Sequence, residues 1–218
     1  MNTSRPSTGR RWLALGLTAL TTTLVLPACA PLLVGGAAVT SAVVITDRRT
    51  SGAQLEDQGI ELRAGSRLRD EVGSRVRVNV TSYNRRVLLT GEVGNERDKA
   101  LVAEIVGKVE NVNEVLNELA IVNSPSLRER AADAVITGRI KASIVDVKQL
   151  PVNAFKIVTE RSTVYLMGRV TQREADQVTQ IARTTQGVQR VVRIMEIISE
   201  EELGRLQYPP ADTNTPSR

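Results

Sequence analysis

The sequence contains no histidine, one cysteine and few aromatic residues: one Trp, three Tyr and one Phe among 218 residues. Without an imidazole there is no Ser/His/Asp or Cys/His nucleophile pair, no histidine metal ligand and no histidine pH switch. A single cysteine forms neither an intramolecular disulfide nor a cysteine metal cluster. Carboxylate pairs such as Asp70-Glu71 lie in charged runs with no nucleophile nearby, and no glycine-rich phosphate loop follows a strand. We therefore predict a protein that is not an enzyme and that holds no metal or cofactor.

The positive charge of the chain is concentrated in part at its N-terminus. There are 29 Lys+Arg against 24 Asp+Glu, a net charge of +5 and a pI near 9.8. Arg5, Arg10 and Arg11 all precede Asp47, the first acidic residue, and without these three the balance is 26 basic to 24 acidic. The aromatic residues do not alternate with basic ones as they do in single-strand binders. We therefore predict no nucleic-acid partner.

The first 46 residues have the pattern of a secretory signal followed by an apolar tether. After the three arginines comes an uncharged run of 15 residues, 12–26, which is shorter than the ~20 residues of a membrane-spanning helix. We assign residues 1–28 to a signal peptide. Residues 30–46 also carry no charge, so residues 29–46 are interpreted as the tether.

The junction Leu26-Pro27-Ala28-Cys29 resembles the lipobox of bacterial lipoproteins. That resemblance implies that Cys29 is lipidated and becomes the mature N-terminus, and that Ala30, which is not Asp, permits release to the outer membrane. Two or three acyl chains would make the anchoring effectively permanent. The alternative for Cys29 is a buried free cysteine in an uncleaved apolar segment.

The remainder of the chain contains two copies of one internal repeat. Residues 78–93 align with residues 155–170, which pairs Val87 with Val164, Leu89 with Leu166 and Gly91 with Gly168. In each copy a helical pattern precedes a hairpin, and a second helix and a third strand follow it. The order α-β-β-α-β is therefore predicted twice, over residues 47–122 and 123–199. Residues 200–218 are interpreted as a charged, disordered C-terminal tail.

The hairpin motifs Val87-x-Leu89-x-Gly91-x-Val93 and Val164-x-Leu166-x-Gly168-x-Val170 resemble those of the BON domain family, small modules of bacterial envelope proteins. The resemblance implies an α/β (α+β) fold of two tandem BON modules, each with two helices packed on a three-stranded mixed sheet. We interpret Gly91 and Gly168 as structural, because a glycine within a strand marks a bulge or a close backbone approach.

The first helix of the second copy, over about residues 127–145, has more apolar residues than one buried face requires. Ala132, Ile136, Ile140 and Ile144 form the expected core stripe. A second apolar stripe consists of Leu127, Ala131, Val135, Ala142 and Val145, and it is flanked by Arg128, Arg130, Arg139 and Lys141. The candidate lipid-binding residues are the five apolar residues together with Arg128, Arg139 and Lys141. This stripe could contact a membrane, pack against the first module or face solvent.

The family resemblance implies the first of these alternatives. Two-BON lipoproteins of this kind bind anionic phospholipid through the matching helix, although Val135 stands where an inserting aromatic is expected. Tyr83, in the first hairpin, is a possible exposed contact.

The resulting expectation is a lipoprotein of the outer membrane that faces the periplasm and helps to maintain outer-membrane integrity. It would bind phosphatidylglycerol or cardiolipin. The alternative is a periplasmic scaffold that docks an envelope assembly or division protein. Burial of the second stripe against residues 47–122 would favour the scaffold.

Overall fold

The computed structural model describes residues 47–122, 126–148 and 150–207. Module 1, residues 47–122, contains α1 (Ser51–Glu71), β1 (Arg77–Tyr83), β2 (Arg86–Val93), α2 (Glu96–Gly107), β3 (Glu114–Asn117) and β4 (Ala120–Ile121). Module 2, from residue 126, contains α3 (Leu127–Val145), β5 (Phe155–Glu160), β6 (Thr163–Thr171), α4 (Gln172–Thr184), β7 (Arg190–Ile198) and α5 (Glu200–Gln207). The predicted order α-β-β-α-β is confirmed in both copies. Cys29 and the predicted signal peptide and tether lie outside the described residues.

Each module is built around a tight hairpin to which a parallel strand is added. β1 pairs antiparallel with β2, and β5 with β6. The two-residue turns, Asn84-Arg85 and Arg161-Ser162, have positive φ at both positions, which matches the right-handed twist of the paired strands. The crossover through α2 or α4 then returns the chain to pair parallel with β2 or β6. Both sheets are therefore mixed, as predicted.

The helices of each module cover one face of its sheet. In module 1, Ile60, Ala64 and Leu68 of α1 pack with Val102 and Val106 of α2 on the sheet, and all are buried. The matching side chains of module 2 include Ile136, Ile140, Ile144, Val178 and Ala182. A capping box from Thr171 to Glu174 opens α4, and a second box from Ser126 to Glu129 opens α3. These boxes satisfy the first N–H groups of both helices.

Ala132 is not part of the core, contrary to the predicted stripe: it is exposed, and Asp133 is buried in its place. Four residues turn the helix by about 40° more than one full turn. Residues spaced every four positions therefore move gradually around the helix and do not stay on one face. Extending the stripe from Ile144 back to Ala132 takes three such steps, which carries it away from the sheet.

The third strand of module 1 is shorter than the sequence pattern indicates. It divides into β3 and β4 around Glu118 and Leu119, and both pieces pair with β2. The Asn117 side chain donates to the Lys99 carbonyl at 2.9 Å and accepts from the Leu119 N–H at 3.3 Å, while Leu119 turns into the core. Its counterpart β7 runs without interruption for nine residues.

The start of the predicted disordered tail is helical. α5 begins after Ser199, whose Oγ accepts from the Glu202 N–H at 3.1 Å. Leu203 is buried, and Glu202 accepts a hydrogen bond from Arg169. The prediction is therefore wrong for residues 200–207, because the burial of Leu203 and two ion pairs, Arg169 with Glu202 and Arg173 with Glu200, attach this helix to module 2. Residues 208–218 lie outside the described residues.

Candidate functional site

The outer face of α3 is apolar and open to solvent. Leu127, Val135 and Val145 are 76%, 51% and 67% exposed, although all three are hydrophobic. Ala131 and Ala142 are exposed on the same helix. Since Ile136, Ile140 and Ile144 face the sheet, this stripe points away from the module. The stripe is not buried against module 1, which was the arrangement that would have favoured the scaffold.

Two further residues, which the sequence reasoning missed, extend this face. Ala134 and Gly138 are exposed between Ala131 and Ala142, and a Cβ placed on Gly138 would meet no atom within 4 Å. Their signal in the sequence was their spacing of three to four residues from the stripe that was recognised. The outer face, defined here as Leu127, Ala131, Ala134, Val135, Gly138, Ala142 and Val145, contains no charge.

Cations flank the outer face on both sides. Arg128 and Arg139 lie along one border, and Arg130 and Lys141 along the other, all with exposed side chains. Arg139 donates weakly to the Gln186 carbonyl at 3.3 Å. The two acids of the helix are engaged elsewhere, because Glu129 completes the capping box and Asp133 is buried. The helix therefore presents an apolar centre with positive margins.

Asp133 and its counterpart Asp57 hold the hairpin turns in place. Asp133 accepts from the N–H groups of Arg161 and Ser162 at 2.8 and 2.9 Å. Asp57 accepts in the same way from Asn84 and Arg85, at 2.7 and 2.8 Å. Each aspartate thus ties the first helix of a module to its hairpin.

The environment of Asp57 keeps this carboxylate charged. Burial raises the pKa of Asp57, but bonds from the Ser82 hydroxyl, the Arg85 N–H and the Arg49 guanidinium outweigh it, so that the pKa lies below its ordinary value. The Ser82 Oγ and the Arg49 Nη1 are 2.6 and 2.8 Å from its oxygens. The sequence signal for both aspartates is an acid three residues before Ile60 or Ile136, on a face that is otherwise apolar.

Gly91 and Gly168 lie in β2 and β6, the central strand of each sheet, where the neighbouring backbone comes close. Gly91 has φ +120°, and a Cβ there would lie 2.0 Å from the Arg77 carbonyl oxygen. At Gly168 a Cβ would lie 2.6 Å from the Ala154 carbonyl oxygen. Each glycine permits a backbone approach that a side chain would block.

Tyr83 is not an exposed contact, contrary to expectation. It is 4% exposed and packs with Leu88 of module 1 and with Tyr165, Met167 and Ile194 of module 2. Its hydroxyl accepts from the Arg169 N–H at 3.3 Å, and burial raises its pKa to about 12. The hairpin position places Tyr83 on the sheet face that the second module covers.

The two modules meet through the sheet faces that their helices leave free. Alternate residues of β2 and β6 point to opposite sides: Val87 and Leu89 face the helices, while Leu88 faces the other module. Polar pairs surround this apolar patch, including Arg77 with Glu160, Lys156 with Glu61 and Arg190 with Glu118. The sequence signal was apolar residues on both faces of the runs 87–89 and 164–167.

Neither a membrane-spanning helix nor a metal centre is found in the described ranges. None of the helices there is both long and apolar enough to cross a bilayer. Nor does this part of the chain contain three or more His, Cys, Asp or Glu side chains grouped to hold a metal.

Repeated helix-and-hairpin modules of this kind are matched by a known family. The BON domain matches residues 56–131 and residues 132–198. The chain therefore belongs to the BON domain family, and it carries two copies of the domain.

Individual relatives refine this assignment. Outer membrane lipoprotein DolP of Haemophilus influenzae is 33% identical over 178 residues, covering 81% of this chain and 92% of that protein. The two domains and this identity make the chain a DolP-like dual-BON protein of the outer-membrane lipoprotein class. Neither the family nor DolP is named as an enzyme.

Two more distant similarities were found. A 21 kDa hemolysin of Actinobacillus pleuropneumoniae is 26% identical over 154 residues, covering 70% of this chain and 79% of that protein. The second is a solved structure of CdsD, a structural protein of the type III secretion system of Chlamydia trachomatis. Its sequence is 14% identical, and the match covers 68% of this chain and 98% of the CdsD chain. Its TM-score of 0.28 is too low to support an argument about the fold.

Proposed function

We propose that this protein is anchored to the outer membrane by lipid on Cys29, faces the periplasm, and docks α3 on anionic phospholipid. The observation that carries the proposal is the outer face of α3, which is apolar, exposed and bordered by cations. Helices with this pattern lie in the plane of the membrane interface with the apolar face among the acyl chains. Through this contact the protein would help to maintain outer-membrane integrity.

The charge arrangement on α3 supports a preference for anionic lipid. Each Lys or Arg near a negatively charged membrane surface contributes about 1 kcal/mol, and α3 has four of them beside its outer face. Leu127, Val135 and Val145 supply moderate apolar area without an aromatic side chain. Insertion is therefore shallow, and headgroup charge decides which membranes are bound.

Vesicle binding of the unanchored protein tests this proposal. The protein from residue 29 onward, carrying Cys29→Ser, should sediment with vesicles of phosphatidylglycerol or cardiolipin and not with phosphatidylcholine vesicles. Arg139→Glu with Lys141→Glu should weaken binding by about 2 kcal/mol or more, roughly thirtyfold or more, because two attractive charges become repulsive.

The control is a double charge reversal of the same size on module 1. Arg67→Glu with Arg69→Glu makes the same change of charge on α1, the counterpart of α3 in module 1, and should leave binding nearly intact. Equal losses in both double variants would show only a dependence on total charge. Full binding by the α3 variant would remove the proposed site.

A periplasmic scaffold remains the second candidate, and one observation favours it. Leu55 and Leu62 of α1 are 71% and 74% exposed, seven residues apart on the outside of module 1. Two leucines two helical turns apart could contact an envelope protein. If anionic vesicles fail to bind the protein, capture of an envelope protein that is lost on Leu55→Glu with Leu62→Glu would support this candidate.

A further inference from the structure

Two consecutive arginines before α1 reach different modules, beginning with Arg48. Its Nη1 and Nη2 each lie 2.7 Å from one carboxylate oxygen of Glu174, at the start of α4 in module 2. The two side chains are 4% and 2% exposed. Arg48 Nη1 also donates to the Arg169 carbonyl at 3.1 Å. Arg48 lies at the start of module 1 in the sequence, yet its guanidinium is bound by module 2.

Arg49 is bound by module 1. Its Nη1 donates to Asp57 Oδ2 at 2.8 Å, and its Nη2 donates to Asp47 Oδ2 at 2.8 Å. The guanidinium carbon lies 4.2 Å from the centre of the Tyr83 ring, within the range of a cation–π contact. Arg49 thereby contacts the carboxylate that holds the first hairpin and the tyrosine at the module interface.

Glu174 requires a cation where it lies. It accepts from the Thr171 N–H at 2.9 Å in the capping box and is almost fully buried. A buried carboxylate is unfavourable unless it is paired and hydrogen-bonded, and a bidentate arginine provides both in a fixed orientation. The pair between Arg190 and Glu118, which also joins the modules, is 58% and 23% exposed and far more accessible to water.

We propose that residues 47–49 form a clasp that locks the two modules in one orientation, with Arg48 held by module 2 and Arg49 by module 1. The residues that directly follow the predicted tether would then also fix the orientation of the two modules. Neither arginine alone would do this, since each is bound mainly on one side of the interface.

The position of the clasp has a consequence that rests on the proposed function. Asp47 and Arg49 line one cleft of about 450 Å³ together with Lys141, on the border of the outer face of α3. Residues 47–49 therefore lie beside α3. The lipid anchor and α3 would then act on the same membrane, whereas the clasp itself requires no lipid.

Distances between spin labels test the clasp in the absence of lipid. Gln58→Cys on α1 and Gln177→Cys on α4 place one label on an exposed position of each module, in the chain from residue 29 onward with Cys29→Ser. Arg48→Met with Glu174→Gln removes the ion pair and leaves no unpaired buried charge. The labelled parent should show one narrow distance distribution, and this double variant should show a broader or second one.

Arg190→Met is the control, since it removes the exposed pair across the same interface and should keep the parent distribution. Parent-like distances in Arg48→Met with Glu174→Gln, with unchanged far-ultraviolet circular dichroism, would overturn the proposal. If that variant does not fold, NMR of the unaltered protein decides. A guanidinium signal of Arg48 protected from solvent exchange and close to α4 is expected, and its absence overturns the clasp. Both measurements stand even if vesicle binding fails.

Discussion

At the scale of single residues, Asp57 and Asp133 perform the same task in the two copies. Each is buried and accepts the two N–H groups of a hairpin turn whose residues have positive φ. Those N–H groups point away from the paired strands, so that without an acceptor they would be left to water or remain unsatisfied. The two copies therefore share the hydrogen bonds between the first helix and the hairpin turn, as well as the apolar core.

Asp133→Asn should destabilise module 2. An asparagine has one acceptor oxygen in place of two, so one of the turn N–H groups would face an NH₂ donor. Loss of a hydrogen bond to a charged group costs about 1.5–3 kcal/mol, and urea unfolding should show a decrease of that size. Asp146→Asn, at the exposed end of the same helix, should change little. Equal effects would mean that the turn contact is not what stabilises the module.

At the scale of secondary structure, α3 differs from α1 in what it presents to solvent. Both helices use three core positions at the same spacing, but the outer face of α3 carries no polar or charged side chain, whereas α1 exposes the polar Gln58 and the charged Arg69 beside its leucines. The sequence identified most of the outer face of α3, because helical spacing alone places residues on one side. It did not establish that this side is uncovered, since that depends on where module 1 packs.

Val135→Trp should strengthen binding to anionic vesicles. Val135 is half exposed at the middle of the outer face, and the added aromatic surface favours the membrane interface. We expect a gain of about 1–2 kcal/mol, roughly five- to thirtyfold in the partition coefficient. Sedimentation of the variant and of the parent with the same anionic vesicles would measure it.

Leu62→Trp on α1 is the matched comparison, because Leu62 is also exposed on the outside of a first helix. It should add little affinity. A similar gain from both substitutions would show a general effect of tryptophan, with no special role for α3.

At the scale of the whole molecule, buried carboxylates set the response to acid. Burial raises the pKa of Glu174, but hydrogen bonds from the Arg48 guanidinium and the Thr171 N–H lower it by more. The pKa of Glu174 therefore lies below its ordinary value of 4.5. The pKa of Asp57 likewise lies below its ordinary 3.8. A depressed pKa in the folded state contributes stability that is present above the unfolded value and is lost as the pH falls through the folded one.

The free energy of unfolding should therefore be nearly constant between about pH 5 and 8, where there is also no histidine to titrate, and should fall in acid below about 4.5. Urea unfolding at a series of pH values measures this. Glu174→Gln should be less stable than the parent at neutral pH, and the difference should shrink in acid. A loss of stability between pH 5 and 8 would contradict this account.

The sequence by itself determined the two modules, their order of elements and the apolar stripe of α3. These depend on local spacing, on glycines within strands and on capping residues, which act over a few neighbouring positions. Only the tertiary structure decided that Tyr83 is buried, that Asp57 and Asp133 hold the turns, and that Arg48 meets Glu174. Arg48 and Glu174 are 126 residues apart in sequence, and a contact between them exists only because two sheet faces pack together. Side-chain periodicity shows which residues share a face, whereas the packing of complete modules determines what that face touches.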